Sequence, residues 1–147
     1  MLRMVKKVKN LGENRLSADI LIVGGGMAGC SLACALAGAG FAVIVLDRVD
    51  QSQQTADEFD GRASAIAEAP KKMLEQIRMW RNLGQNFAPI LDIRVADGSS
   101  PLFLHYDHED VGEDAFGYMV ENRHFRQAVF ARLKELNNAT YLAPAEL

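Results

Sequence analysis

Apolar and polar positions divide the chain into blocks of distinct period. Asp19-Ile-Leu-Ile-Val23 is a short, unbroken apolar run, the pattern of a strand buried on both faces. Gly24, Gly25 and Gly26 stop it. Met27 to Ala39 then reads as a helix, with Leu32 and Leu36 a turn apart and a smooth stripe of Gly29, Ala33 and Ala37 beside them. Gly40 suits the helix stop, and Ala42-Val-Ile-Val-Leu46 is a second buried strand that ends at Asp47. Strand, glycine turn, helix and strand in so short a span predict a parallel βαβ unit.

Beyond it the periods are weaker. Residues 48–59 are polar and aperiodic and read as a loop. A helix is expected from Pro70 to Trp80, with Met73, Ile77 and Trp80 along one core-facing side. Ile90–Ala96 and Pro101–Tyr106 read as two strands joined through Asp97-Gly98-Ser99-Ser100, an antiparallel hairpin. His105 to Asp114 is acidic and reads as an exposed loop. Tyr118–Val120 predicts a short strand, Arg123–Leu136 an amphipathic helix, and Thr140–Leu142 another strand. The fold class is therefore α/β: a Rossmann-like βαβ dinucleotide-binding domain with an inserted antiparallel hairpin.

From Ile20 to Leu46 no residue is charged, a stretch long enough to cross a bilayer. Six glycines interrupt it, each costing a helix about 1 kcal/mol relative to alanine. The run also changes type along its length, from β-branched to glycine to small and back. The soluble reading is preferred. Composition agrees: 49% hydrophobic, 24% charged, and a net charge of -3, which gives no reason to expect a nucleic-acid partner. Only the first residues are basic (Arg3, Lys6, Lys7, Lys9, Arg15); we read 1–18 as a flexible, solvated lead rather than a membrane-surface or targeting helix. The default compartment is the cytosol, with peripheral association at the inner membrane left open. Cys30 and Cys34 lack metal or disulfide spacing and read as small apolar packing residues.

The chemistry lies in Gly24-Gly25-Gly26-Met27-Ala28-Gly29, which satisfies GxGxxG in the required context of strand, helix, strand and terminal acid. Gly24 allows the tight turn, Gly26 lets the backbone approach a pyrophosphate, and Gly29 lets the helix lie close to the sheet. The first-turn amides, those of Met27 and Ala28 among them, point at a diphosphate that the helix dipole favours. Asp47 stands where a carboxylate accepts from an adenosine ribose and disfavours the 2′-phosphate of NADP. The motif does not separate FAD from NAD, since both present the same ADP half.

Three segments bear on that choice: Gly24 to Gly40, in its small-residue form; Phe59-Asp-Gly-Arg62-Ala-Ser-Ala-Ile-Ala67; and Gly117-Tyr-Met-Val-Glu-Asn122-Arg123. On these the stretch 19–136 resembles the flavin-dependent aromatic hydroxylases of the para-hydroxybenzoate hydroxylase type, and within them the hydroxylases of ubiquinone biosynthesis. The resemblance implies FAD as cofactor and NADH or NADPH as reductant. The reaction implied is monooxygenation, in which a prenylated phenol takes up one atom of dioxygen. It further implies that Asp47, with Arg48 beside it, serves the adenosine ribose, that Arg62 lies along the pyrophosphate and ribityl chain, and that Asn122 and Arg123 approach the flavin from a helix end. Members of that family are much longer. Their second FAD segment and most of their substrate pocket would lie past Leu147, so 19–147 is expected to be an incomplete FAD-binding domain without a substrate domain.

No catalytic residue is nominated, because the cofactor carries the hard chemistry. The cluster His105, Asp107, His108, Glu109 and Asp110 invites a metal, but a solvated acidic loop is the expected reading. Two classes of function stand open: the FAD-binding part of a monooxygenase, and a non-catalytic module that holds NAD or FAD.

Overall fold

A computed structural model of the chain describes residues 16–98, 100–112 and 114–146. Most of the expected basic lead, residues 1–15, lies outside the described residues. The first unit is the βαβ of the sequence pattern: β1 (Ile20–Val23), α1 (Met27–Gly38) and β2 (Val43–Leu46), with β1 and β2 parallel and in register from Ile20↔Val43 to Val23↔Leu46. The last strand, β8 (Ala139–Leu142), returns to the other side of β2, also parallel, giving the order β1-β2-β8. β2 is thus the central strand and is nearly all buried, whereas β1 is an edge on which Leu21 and Val23 stay exposed.

The helix meets the sheet on its small residues. Cys30, Ala33, Cys34 and Ala37 recur at helical spacing, are all buried, and join Val43 and Val45 in the core. Leu32, a turn from Leu36 and beside the small-residue stripe, is 51% exposed. α4 (Asn122–Lys134) packs against α1 and joins the same core through Phe125, Val129 and Leu133, and the Cys34 thiol donates to the Val129 carbonyl at 3.7 Å.

A second sheet joins the two segments that carry the family resemblance. β3 (Ala63–Ala67) pairs antiparallel with β7 (Gly117–Glu121), from Ala63↔Glu121 to Ala67↔Gly117, and β4 (Ala88–Ile90) flanks β7. Gly117 is required there, since a Cβ would stand 2.6 Å from the Ile66 carbonyl oxygen. Between β1–β2 and β3 a short α2 (Gln51–Gln54) interrupts the expected loop, capped by Asp50, which accepts from the Ser52 N–H.

The expected helix 70–80 forms as α3 (Glu68–Gln76) and a separate 3-10 turn at Trp80–Leu83, with Arg78 in the left-handed region between them. That break turns Trp80 inward, where its ring lies tilted against Phe87 and edge-on to Tyr118, and leaves Met73 half exposed rather than in the core. The inserted hairpin is present as β5 (Asp92–Ala96) and β6 (Phe103–Asp107). Ile90 belongs to β4 and not to the hairpin. Among the described residues no helix is long and apolar enough to cross a membrane.

Candidate dinucleotide site

The glycine corner sits at the end of the parallel sheet. Gly24 has φ +110, which costs an L residue heavily and glycine almost nothing, and its N–H donates to the Leu46 carbonyl at 2.8 Å. A Cβ on Gly29 would collide with the Gly24 carbonyl, so this glycine sets the distance between helix and turn. Gly26 is different in kind. It is the helix N-cap, has no side-chain cap, and a Cβ there would meet nothing within 4 Å. The first-turn amides of α1 have no acceptor within their own helix, and no acidic side chain occupies that turn. The space in front of them suits an anionic group.

Asp47, held at the end of β2 by its N–H to the Leu142 carbonyl (3.0 Å), turns its carboxylate back to the corner. The Gly25 N–H donates to Oδ2 and the Val49 N–H to Oδ1 at 2.7 Å. Each carboxylate oxygen keeps a further lone pair for a sugar hydroxyl. Beyond Asp47 opens a groove of about 610 Å³ whose walls include Gln54, Phe59, Asp60, Arg62 and Arg126. Arg62 and Arg126 both reach Asp60 Oδ2, at 2.9 and 3.0 Å, and the two hydrogen bonds, Arg126 foremost, hold the Asp60 carboxyl down at about 2. Two guanidinium groups therefore face the groove on one carboxylate.

The other expected residues are distributed as follows. Met27 is half-buried under the corner and Ala28 exposed, and both offer only backbone to a ligand. Arg48 is not among the residues lining the groove; its exposed side chain pairs with Glu146 at 3.8 Å. Asn122 is buried: its Oδ1 accepts from the Ser64 hydroxyl at 2.7 Å and its N–H donates to the Arg62 carbonyl at 3.0 Å. It thereby fixes the strand that carries Arg62. Arg123 pairs with Glu121 at 2.7 Å, donates to the Asp57 carbonyl, and lies over the Phe59 ring. It props the groove wall from behind.

Arg126 escaped the sequence reading. The available signal was its spacing of three from Arg123, which puts both on one face of the first turns of α4. Gln54 and Tyr141 were also missed, and no local pattern pointed to them, because their meeting depends on β8 returning beside β2. The cysteines are inert packing groups. Burial foremost pushes both thiols up to about 12, and the Cys30 Sγ–H donates to the Gly25 carbonyl at 3.0 Å. On the hairpin, Asp92, His105 and Asp107 share one face with ligand atoms within 4.8 Å of one another, but Asp92 and His105 are exposed and His105 Nε2 already lies 2.6 Å from Asp92 Oδ1.

Compared with known proteins, the sequence model of the FAD dependent oxidoreductase (DAO) family matches residues 19–137. The chain belongs to this family. Among curated relatives, it is 53% identical over 130 residues to the ubiquinone hydroxylase UbiL of Rhodospirillum rubrum, a match spanning 88% of this chain and 30% of that one. It is 31% identical over 131 residues to the 3-demethoxyubiquinol 3-hydroxylase of Escherichia coli, spanning 88% and 33%. Among solved structures, p-nitrophenol 4-monooxygenase PnpA of Pseudomonas putida superposes with a TM-score of 0.67 at 19% identity over 84% of this chain and 31% of that chain, a likeness of fold. The chain thus spans about a third of the length of these relatives. The residues of the corner and groove fit the family's cofactor: open space before Gly26, uncapped amides, an acid at the strand end, and two arginines across from it.

Proposed function

We propose that the chain is the N-terminal, FAD-binding part of a flavin-dependent monooxygenase that hydroxylates a prenylated phenol in ubiquinone biosynthesis, with NADH or NADPH as reductant. One observation carries the reading. The β3–β7 ladder delivers Arg62, and the helix following it delivers Arg126, to the same groove that Asp47 enters from the glycine corner. A βαβ unit that held only a nicotinamide dinucleotide would have no need of that second ladder.

In this reading the amides of Met27, Ala28 and Gly29 and the backbone at Gly26 receive the diphosphate. Asp47 takes the ribose hydroxyls, Arg62 compensates phosphate charge along the groove, and Asn122 and Arg123 hold the strand and wall from which Arg62 works. FAD, once bound, supplies the redox and oxygen chemistry, while these residues bind and orient it. The remaining two thirds of the relatives' length would carry the substrate pocket. The names of the relatives support a quinone-pathway phenol as substrate.

The alternative is a dinucleotide module without catalysis, which Asp47 and the corner alone would equally suit. The two separate on denaturing the purified chain and recording the released ligand. Oxidised flavin in the supernatant, or flavin uptake by the chain when FAD is added, is the expected result. Nicotinamide without flavin would overturn the proposal.

A further inference from the structure

Gly25 is the unspecified position of the GxGxxG pattern, yet any larger residue there would have to displace the ring of Tyr141. A Cβ there would fall within the edge of the Tyr141 ring, closest to Cε2, with the hydroxyl oxygen 2.7 Å and Cζ 2.9 Å away. Tyr141 comes from β8, where it pairs with Val45, and its ring meets Phe130 of α4 edge-on at 4.9 Å between centroids. Its hydroxyl accepts from Gln54 Nε2 at 2.9 Å and donates to the Val49 carbonyl at 3.5 Å. Burial, and after it the carboxylate of Asp47, raise the phenol above its ordinary range, so it stays a neutral donor.

Gly25 and Val49 are the two residues whose N–H groups hold the Asp47 carboxylate, one on each oxygen. Tyr141 packs on the first and bonds the carbonyl of the second. We propose that Tyr141 is a positioning residue of the dinucleotide site: it braces the glycine corner and the 49–54 turn together, and so presets Asp47 for the ribose hydroxyls. The inference rests on the reading of the corner as an ADP site. It assigns Gly25 a role as well, that of making room for the brace.

The test uses the whole chain and two probes, ADP and 2′-deoxy-ADP, titrated by calorimetry, with circular dichroism and melting recorded for each variant. A carboxylate aimed at the ribose should give ADP a preference of about tenfold over the deoxy form. Tyr141→Phe and Gln54→Ala should each reduce that preference about threefold, and Tyr141→Ala should bring it close to one. Gly25→Ala should weaken ADP about tenfold in the wild-type background and less than twofold in the Tyr141→Ala background, the coupling expected where the Tyr141 ring is what a methyl group at Gly25 meets; the ADP preference of Tyr141→Phe and Gln54→Ala is the readout that a merely structural role would not move. Should Tyr141→Ala unfold the chain, Tyr141→Phe and Gln54→Ala still decide the matter. An unchanged preference in those variants, or equal cost of Gly25→Ala in both backgrounds, overturns the brace while leaving the site standing. A wild-type chain that binds neither ADP nor FAD overturns the site, and the brace with it.

Discussion

Single residues in the glycine corner divide by what a methyl group would meet. Gly26 and Gly29 stand three apart in one motif, yet they predict opposite phenotypes. At Gly26 the backbone is ordinary for an L residue (φ −73) and the Cβ direction is open, so Gly26→Val should leave the melting temperature unchanged while lowering FAD affinity at least tenfold, because only a bound diphosphate contests that space. At Gly29 the Cβ meets the Gly24 carbonyl, so Gly29→Ala should cost about 1–3 kcal/mol of stability in denaturant titration with no ligand present. If Gly26→Val proved as destabilising as Gly29→Ala, the corner would be an ordinary packed turn. Both glycines were legible from the motif. Gly25 was not, because the residue that excludes a side chain there is Tyr141, from the far end of the chain.

Among elements, the β3–β7 ladder brings together two segments that lie about fifty residues apart in the chain. Their residues are cross-strand partners, and Asn122 closes the ladder by bonding both Ser64 and the backbone of Arg62. The loop before β3 is fastened to α4 by Asp60, which takes hydrogen bonds from Arg126 and Arg62. Asp60 has a lowered carboxyl in the folded chain, about 2 against the ordinary 3.8. A group depressed on folding favours the folded state above its unfolded value and loses that contribution as pH falls through the folded one. Wild type should therefore be more stable than Asp60→Asn above pH 3.8, with the gap shrinking toward pH 2. Urea midpoints across that window measure it, and a constant gap would disprove the fastening. Sequence periodicity recovered β1, α1, β2, the hairpin and α4 within a few residues. It missed β3, because Ala63-Ser-Ala-Ile-Ala67 has neither a clear alternation of large side chains nor a β-branched run, and its strand form is imposed by β7.

At the scale of the whole molecule, the hairpin stands apart from the two sheets. Ile93, Val95, Leu104 and Tyr106 are cross-strand partners on one of its faces, and all are exposed, from 38% at Ile93 to 61% at Leu104. An uncovered apolar face of this kind favours association between copies. The double variant Val95→Lys, Leu104→Lys should lower the sedimentation-detected aggregate several-fold with the melting temperature within about 2 °C of wild type, since neither residue lies in the core. A large loss of stability would mean that the face is packed after all. The sequence foretold a hairpin but not this bareness, because alternation fixes which side chains share a face and says nothing of what lies opposite.

The order β1-β2-β8 also has a consequence for how the chain comes into being. The glycine fingerprint and its acid leave the ribosome early, but Tyr141 follows Gln54 by 87 residues. Until β8 emerges, the third strand of the parallel sheet is missing and the corner has no ring behind it. On the proposed reading, a nascent chain halted before residue 139 would display every letter of the nucleotide signature while its corner still lacked the brace that sets Asp47.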